Sequence, residues 1–326
     1  MGIKRFMLRL AAILIFAHAA PAAAANINVV WTSEVGQFAP LWVTREAKLF
    51  EKYGNHVQLI FIQGASAAAA ALSSDDAQVG MFSPQVVIST PALELVMFGR
   101  LGNTMDNRIF GRKGIKSIKE VKRVAISRFG SNADFAARFL LQREGLRPDI
   151  DVALLQVGNQ SNRIAAVETN NADAAMLTPP MTLQARKLGM PLLVDASKLG
   201  IPYSSLFFVS RRPYITKNRA DLVNFTKAMI EGVCLYKSNK EFAMKVLSKY
   251  MKVQDRDVLE ENFREYDFPI RPYPSKEHFE LPIQEVGKKD PKVLKENPDR
   301  FADMSLVKEL DSSGFIDKVA QEYKVK

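Results

Sequence analysis

The chain has 326 residues, of which 47% are hydrophobic and 25% are charged, and its formal net charge is +10. This length suffices for two domains with sizeable cores, and the composition is that of an ordinary soluble globular protein. The basic residues are scattered and do not form one run with interleaved aromatic residues, which argues against nucleic-acid binding. The single cysteine, Cys234, cannot form an internal disulfide, and we expect it to be a core thiol.

The first 25 residues predict a cleaved secretory signal peptide. They begin with basic residues, continue with an apolar run over 10–20 that is too short to span a bilayer, and end in Ala23-Ala24-Ala25. A retained membrane anchor is the alternative. No cysteine lies near the cleavage site, so we expect no lipid anchor. An exported chain without disulfides fits a bacterial periplasm.

Three apolar runs, at 27–32, 57–62 and 78–82, predict a parallel sheet in the first part of the chain. Each run ends in a small polar loop that opens a helix, and the first of these helices is predicted over Phe38 to Tyr53. The carboxyl ends of parallel strands meet at one edge of a sheet, where ligands bind. We therefore expect the ligand site to lie at this edge.

The same landmarks recur about 94 residues later in the chain. Ser33-x-x-Gly36 corresponds to Ser127-x-x-Gly130, Gly64 to Gly158, and the stretch 77–84 to 172–179. The alternative explanation is that any two α/β units share such turn and loop residues at the ends of their strands. The common order of the landmarks instead predicts two similar lobes that offer the same three loops to a shared cleft.

The order of the predicted elements indicates that the chain leaves one lobe, builds the second and returns. We expect lobe one to comprise 26–99 and 207–326, and lobe two to comprise 101–206. Within lobe two a short helix is predicted over 115–121, and 211–213 is expected to break the returning strand. From residue 218 onward the pattern becomes helical, and this tail is expected to pack on lobe one. Two crossings between lobes suit a hinge.

Several segments carry a resemblance to a known family. They are Ala39-Pro-Leu-Trp-Val43, Lys48-Leu-Phe-Glu-Lys-Tyr-Gly54, Gly64-Ala-Ser66, Ile115-Lys-Ser-Ile-Lys-Glu-Val121, Ser127-Arg-Phe-Gly-Ser131 and Leu146-Arg-Pro-Asp149. With them, over about residues 26–266, the chain resembles the substrate-binding proteins of nitrate/sulfonate/taurine-type ABC transporters. It looks closest to the group that shares a domain with thiamine-pyrimidine precursor proteins. One departure is Glu120-Val-Lys-Arg123, which lacks the glycine that the family usually has there.

The resemblance implies an α/β fold, the two-lobed periplasmic binding protein fold of the second type. Each lobe would be a mostly parallel sheet flanked by helices, and a C-terminal helical extension would follow. It also implies an extracytoplasmic solute-binding protein that captures a small ligand and delivers it to an ABC transporter permease in the inner membrane. We expect it to act as a monomer. A periplasmic ligand sensor module, or a receptor for a neutral pyrimidine-like ligand, stays open as the alternative.

Enzyme chemistry finds no support in the motifs. The sequence has no His-Glu-x-x-His, no Cys-x-x-Cys and no Gly-x-Ser-x-Gly. Gly111-Arg-Lys-Gly114 lacks the ending of a phosphate-binding loop. We therefore expect a protein that is not an enzyme and that uses neither a cofactor nor a metal.

The candidate ligand-binding residues come from the loops that follow the strands of both lobes. They are Ser33, Gln37, Gly64, Ser66, Ser83, Ser127, Arg128, Gly130, Ser131, Asn159 and Thr178. Arg128 follows a strand and precedes the start of a helix, whose free N–H groups favour an anion. We expect it to bind an anionic headgroup, a sulfonate or a carboxylate. An Arg128 that points outward and pairs with a surface carboxylate is the alternative.

The substitution Arg128→Ala tests this expectation. A charge-assisted hydrogen bond contributes about 1.5–3 kcal/mol, so its loss should lower the affinity for an anionic ligand about tenfold or more. The melting temperature of the free protein should stay nearly unchanged. Calorimetric titration measures the affinity, and an unaltered value would make a neutral ligand such as a pyrimidine the better candidate.

Overall fold

The computed structural model describes residues 25–326, so the predicted signal peptide lies, apart from Ala25, outside the described residues. The strands are β1 (Ala25–Trp31), β2 (Asn55–Phe61), β3 (Val79–Phe82), β4 (Leu95–Arg100), β5 (Arg108–Gly111), β6 (Arg123–Ile126), β7 (Ala153–Gln156), β8 (Ala174–Leu177), β9 (Leu192–Asp195) and β10 (Phe207–Arg211). The helices are α1 (Ala39–Glu46), α2 (Leu49–Lys52), α3 (Ala65–Ser73), α4 (Pro84–Ser89), α5 (Asn132–Arg143), α6 (Gln160–Glu168), α7 (Met181–Lys187), α8 (Arg212–Lys217), α9 (Arg219–Ser238), α10 (Lys240–Met251), α11 (Arg256–Glu265), α12 (Glu280–Gly287), α13 (Ser305–Ser312) and α14 (Phe315–Glu322).

The strands form two five-stranded sheets of the same topology. The first sheet has the order β2-β1-β3-β10-β4 and the second the order β7-β6-β8-β5-β9. The first three strands of each sheet run parallel, whereas β10 and β5 are antiparallel to both of their neighbours. The predicted α/β fold with two mostly parallel sheets is confirmed. The antiparallel strand is in each case the one on which the chain arrives from the other sheet. We refer to the first sheet with its helices as lobe one and to the second as lobe two.

Both sheets are buried on their two faces, and their sequences show it. Along β1, Val29 and Trp31 belong to one apolar cluster and Val30 belongs to another. Along β6, Ile126 and Ala125 likewise divide between two clusters. Successive residues of a strand point to opposite faces, so a strand that is covered on both sides reads as a continuous apolar run.

Two neighbouring segments carry the chain between the lobes. Residues 101–107 lead from β4 to β5, and residues 196–206 lead from β9 to β10. They run side by side, because the N–H of Leu101 donates to the oxygen of Leu206 at 3.0 Å and Thr104 forms a bridge with Pro202. The two crossings therefore make one narrow, hydrogen-bonded connection.

The C-terminal helices pack on lobe one. Leu306 of α13 and Ile316 of α14 are buried in the same cluster as Val29 of β1. Ile283 of α12 is buried with Val86 and Val87 of α4. The tail thus covers lobe one as the helical pattern indicated.

Helix α11 also contacts lobe two. The Glu261 side chain, which has no exposed surface, accepts from Nη1 of Arg186 on α7 at 2.6 Å and from Oγ1 of Thr182 at 3.2 Å. Lys187 lies 2.8 Å from Asp255 at the start of α11. Burial raises the pKa of Glu261, since desolvation outweighs its pairing with Arg186. The tail therefore ties the two lobes together as well as covering one of them.

The prediction of one continuous helix over Phe38 to Tyr53 is wrong. The segment forms two helices, α1 and α2, which are separated at Lys48, where the backbone is left-handed with a φ of 55°. The division sends two apolar groups to different partners. Trp42 stacks on Tyr250 at 5.0 Å between ring centroids, whereas Phe50 stacks on Phe225 of α9 at 5.3 Å. Trp42 is fully buried, as expected of a core residue.

One further correction and one refinement concern short segments. The predicted helix over 115–121 is reduced to one 3₁₀ turn at Ile118–Glu120, because the Ser117 side chain accepts from the N–H of Lys119 and Val121 is extended. The returning strand ends at Arg211, in agreement with the expected break over 211–213, and α8 begins directly after it at Arg212. Its Pro213 lies in the first turn, where a missing N–H costs no hydrogen bond. Helix α4, which opens after the third apolar run as expected, likewise begins at a proline.

Two helical glycines offer a test of this packing. A Cβ at Gly232 of α9 would overlap Oγ1 of Thr44, which is fully buried and donates to the oxygen of Pro40 at 2.6 Å. A Cβ at Gly287 would meet only the side chain of Leu294, which is 54% exposed and can move aside.

Gly232→Ala should therefore lower the free energy of unfolding by about 1–3 kcal/mol, because overpacking outweighs the better helix propensity of alanine. Gly287→Ala should be close to neutral. Urea unfolding of both variants measures the difference. Equal midpoints for the two would contradict the close approach of α1 and α9.

Candidate functional site

A cavity of about 270 Å³ lies between the two lobes at the carboxyl ends of their parallel strands. Its wall is built from the loops that follow β1, β2 and β3 in lobe one and β6, β7 and β8 in lobe two. The lining residues are Thr32, Ser33, Glu34, Val35, Gln37, Phe38, Phe61, Gln63, Gly64, Ala65, Phe82, Ser83, Asn107, Ser127, Arg128, Ser131, Asn132, Ala133, Gly158, Asn159, Arg163, Thr178, Ser205 and Leu206. This is the edge at which open α/β sheets bind their ligands.

Nine of the eleven candidate residues line this cavity. They are Ser33, Gln37, Gly64, Ser83, Ser127, Arg128, Ser131, Asn159 and Thr178. Of the other two, Ser66 lines a separate surface groove beside α3 and α4, and Gly130 is exposed outside the cavity wall. The repeated landmarks meet in space, since Ser33 and Ser127, Gly64 and Gly158, and Ser83 and Thr178 all belong to the same wall.

Arg128 spans the mouth of the cavity. Its Nη2 donates to Oε1 of Gln63 at 2.8 Å, so the guanidinium of lobe two is bound to an amide of lobe one. Gly64 has a φ of +101°, a backbone conformation that favours glycine, and a Cβ there would lie in ordinary van der Waals contact with Cδ of Arg128, at 3.7 Å. Arg128 is therefore not paired with a surface carboxylate, which was the alternative expectation. Its side chain is exposed at the entrance of the cavity.

Several of the candidate side chains already have partners within the protein. Oγ of Ser131 accepts from the N–H of Asp134 at 3.2 Å, and Oδ1 of Asn159 accepts from the N–H of Asn162 at 2.8 Å, so both cap helices. Oγ1 of Thr178 accepts from Nε2 of Gln160 at 3.1 Å. The acceptor oxygens of these groups are thus engaged within the protein, whereas Nδ2 of Asn159 keeps donor protons for a ligand.

Gln37 is engaged at both ends of its amide. Its Nε2 donates to Oδ2 of Asp106 at 2.6 Å, and its Oε1 accepts from Oγ of Ser205 at 2.7 Å. Asp106 and Ser205 belong to the two crossings. Gln37 thus joins the first loop of lobe one to both connecting segments, and burial raises the pKa of Asp106 in this position.

Ser83 and Arg163 are buried polar residues of the wall with unused capacity. Oγ of Ser83 is buried without a hydrogen-bond partner among the described residues. Arg163, on α6, is 5% exposed; its Nη1 donates to the oxygen of Met176 and its Nε to the oxygen of Asn159 at 3.4 Å. No carboxylate of the described chain pairs with its guanidinium. Burial lowers the pKa of Arg163 to about 9, because nothing nearby offsets its desolvation.

An unpaired buried cation is costly to maintain, and buried charges are normally paired. An anion in the cavity would supply the negative charge that Arg163 lacks as a partner. It would also accept a hydrogen bond from the hydroxyl of Ser83. The acidic residue of the wall, Glu34, does not fill this role, since its carboxylate faces Lys252 at 3.6 Å. The part of the cavity wall formed by Arg163 and Ser83 is therefore suited to an anionic group.

Part of the remaining wall is apolar. It is formed by Val35, Phe38, Phe61, Ala65, Phe82, Ala133 and Leu206. Phe61 is 46% exposed, whereas Phe82 is buried. These apolar side chains suit the uncharged part of a ligand whose anionic group is bound by Arg163 and Ser83.

Sequence reasoning missed Arg163, Asn107, Asn132 and Ser205. A signal for Arg163 was present, because Gln160, Arg163, Ile164 and Val167 are buried at the spacing of one helical face. An arginine in such a stripe indicates a buried charge that needs a partner. Asn107 and Ser205 lie on the crossings and Asn132 in the first turn of α5, where no local pattern marks them.

Over residues 25–326, no group of three or more histidine, cysteine, aspartate or glutamate side chains is placed to hold a metal ion. In the same range no helix has the length and apolar character needed to cross a membrane.

Comparison with known proteins places the chain beside a family and a group of structures. The family model described as NMT1/THI5 like matches residues 35–241. Among solved structures, the alkanesulfonate-binding protein SsuA from Xanthomonas axonopodis pv. citri bound to MOPS has a TM-score of 0.71 at 16% identity, covering 85% of this chain and 96% of that one. The periplasmic nitrate-binding protein NrtA from Synechocystis PCC 6803 also has a TM-score of 0.71 at 16% identity, covering 93% and 90%.

The periplasmic aliphatic sulphonate binding protein SsuA from Escherichia coli has a TM-score of 0.68 at 19% identity, covering 82% of this chain and 94% of that one. A comparison with curated protein sequences found no match. At these identities the structural neighbours establish the fold.

The substitution Arg163→Met separates a ligand-binding role from a structural one. It removes an unpaired buried charge, so the melting temperature of the free protein should be unchanged or higher. The affinity for a bound anion, titrated with ethanesulfonate and with nitrate, should fall about tenfold or more.

Arg138→Met is the matched control. Arg138 lies on α5 and pairs with Asp134 at 2.8 Å and with Asp149, outside the cavity wall. That variant should lose stability and keep its affinity. A large stability loss in Arg163→Met with an unchanged affinity would show that the charge of Arg163 is structural.

Proposed function

This chain belongs to the NMT1/THI5-like family, and on that premise we propose that it is an extracytoplasmic solute-binding protein of an ABC importer. It captures a small organic anion in the cleft between its lobes and delivers it to the permease in the inner membrane. The leading 25 residues, with their basic start and apolar run, support export to a periplasm.

One observation carries the anionic character of the ligand. Arg163 is buried at the cavity wall without a carboxylate partner among the described residues, and Arg128 stands at the mouth of the same cavity. Two guanidinium groups on one cavity attract an anion, and a guanidinium matches the planar or forked oxygens of carboxylates and sulfonates. Two of the structural neighbours are an alkanesulfonate-binding and a nitrate-binding protein, and both of these ligands are anions.

The size and lining of the cavity favour an organic anion over an inorganic one. A volume of about 270 Å³ is close to the lower end of small-molecule sites. The aromatic side chains of Phe38, Phe61 and Phe82 offer apolar surface that a bare inorganic anion would leave unused. A sulfonate or carboxylate with a short apolar body uses both parts of the wall.

The connection between the lobes supports closure on the ligand. Two hydrogen-bonded crossings permit one lobe to rotate against the other as a rigid body, and this rotation requires that the contacts of α11 with Arg186 and Lys187 of α7 shift or break. The bond between Arg128 and Gln63 spans the cleft mouth and joins the lobes over the cavity. Release of a ligand requires that this contact break, so Arg128 would act in closure as well as in attraction of the anion.

A thermal-shift screen tests the proposal directly. Its panel is ethanesulfonate, MOPS, taurine, nitrate, short carboxylates and a neutral aminopyrimidine. A true ligand at a hundredfold excess over its Kd stabilises the folded protein by about 2.7 kcal/mol. Scattering with that ligand should show a smaller radius of gyration than scattering without it.

Stabilisation by the pyrimidine and by none of the anions would overturn the anionic assignment. A tight ligand that leaves the radius unchanged would contradict closure.

A further inference from the structure

Three side chains form a hydrogen-bonded relay that passes from lobe one to lobe two behind the cavity. Nε2 of Gln85, on α4 of lobe one, donates to the hydroxyl of Tyr203 at 2.9 Å. That hydroxyl donates in turn to Oδ1 of Asn132, the first residue of α5 in lobe two. Gln85 is 7% exposed and Tyr203 has no exposed surface, whereas Asn132 lines the cavity.

The relay has a direction. A tyrosine hydroxyl carries one proton, and here it accepts from Gln85 and donates to Asn132. The oxygen of the Asn132 amide is therefore occupied, and its Nδ2 is the group left for other partners. Its contact with Oδ1 of Asn107, at 3.4 Å, is longer than an ordinary hydrogen bond. Nδ2 of Asn132 is thus available as a donor at the cavity wall.

The surroundings of the relay maintain this direction. The Tyr203 ring stacks on Phe135 of α5 at 5.6 Å between centroids, which holds the hydroxyl in place. Burial raises the pKa of Tyr203, so the hydroxyl keeps its proton. If the hydroxyl of Tyr203 instead donated to Gln85, the Gln85 amide would have to be flipped so that its Oε1 accepts. Its Nε2 group would then occupy the buried position where Oε1 now has no partner. A buried N–H group without a partner is rarer than such a C=O group.

We propose that Tyr203 is a positioning residue that holds Asn132 as a hydrogen-bond donor to the ligand. The relay thereby selects an acceptor group, such as a sulfonate or carboxylate oxygen, at the cavity where Arg163 supplies the charge. The inference rests on the proposed function for the identity of the ligand. The orientation of the Asn132 amide is a property of the protein alone.

A double-mutant cycle tests the relay. Tyr203→Phe removes the hydroxyl and keeps the ring, Asn132→Ala removes the amide, and the third variant combines both. Calorimetric titration with ethanesulfonate, MOPS and nitrate should show about three- to tenfold weaker binding for Tyr203→Phe. The double variant should bind within about twofold of Asn132→Ala alone, since Tyr203 acts through Asn132. A merely structural role of Tyr203 would give losses that multiply.

Tyr236→Phe is the matched control. Tyr236 is 1% exposed, and its hydroxyl bonds to Asn262 on α11, outside the cavity wall. It should show a loss in melting temperature comparable to that of Tyr203→Phe and an unchanged affinity. A similar loss of affinity in both tyrosine variants would overturn the positioning role.

If the proposed function is wrong, the wild-type protein will bind none of the three anions, and the double-mutant cycle will give no result. In that case the relay is tested with bromide as a probe anion. Crystals of the free protein soaked in bromide should show an anomalous peak within hydrogen-bond distance of Nδ2 of Asn132, and Tyr203→Phe should remove it. No peak in the wild type, or equal peaks in both proteins, would overturn the proposal.

Discussion

The pairing of the two crossings is the constraint on which the site depends. Leu101 and Leu206 join them by a backbone hydrogen bond, and Thr104 and Pro202 form a bridge farther along. Because each crossing delivers the chain to the antiparallel strand of the next sheet, the carboxyl ends of the parallel strands in both lobes face one another. Gln37 extends this connection into the first loop of lobe one. The cavity is consequently defined by backbone topology, and its side chains are added to a wall already in place.

Much of the fold could be predicted from sequence because both sheets are covered on two faces. Strands of this kind read as short apolar runs, and the three runs predicted in the first part of the chain match β1, β2 and β3 to within two residues. The failures have a common cause in tertiary contacts. Lys48 adopts a left-handed conformation so that Trp42 and Phe50 can stack on different helices. No local pattern in the segment 38–53 encodes that choice, since either stripe alone would favour an unbroken helix.

The site was predictable where it follows strand ends and hidden where it does not. Ser83 and Thr178 close equivalent strands, so their shared motif located both halves of the wall. Periodicity places Arg163 in a buried stripe of α6, but only the fold shows that no carboxylate of the described chain lies within reach of it. The role of Asn132 depends on Tyr203 and Gln85, which are distant in sequence. Contacts of that range cannot be inferred from a single chain without its fold.

The position of β10 has a consequence for the order in which the chain assembles. This strand lies between β3 and β4 and is the partner through which β4 joins the first sheet. The second sheet, in contrast, is drawn entirely from the continuous segment 108–195. A chain that emerges amino end first completes its second sheet while the first still lacks a central strand. Until residue 211 is available, β3 and β4 present unpaired edges of the kind that promote aggregation. The sheet of lobe two can thus be complete before that of lobe one, and the strands β3 and β4 are the ones that need protection until residue 211 is available.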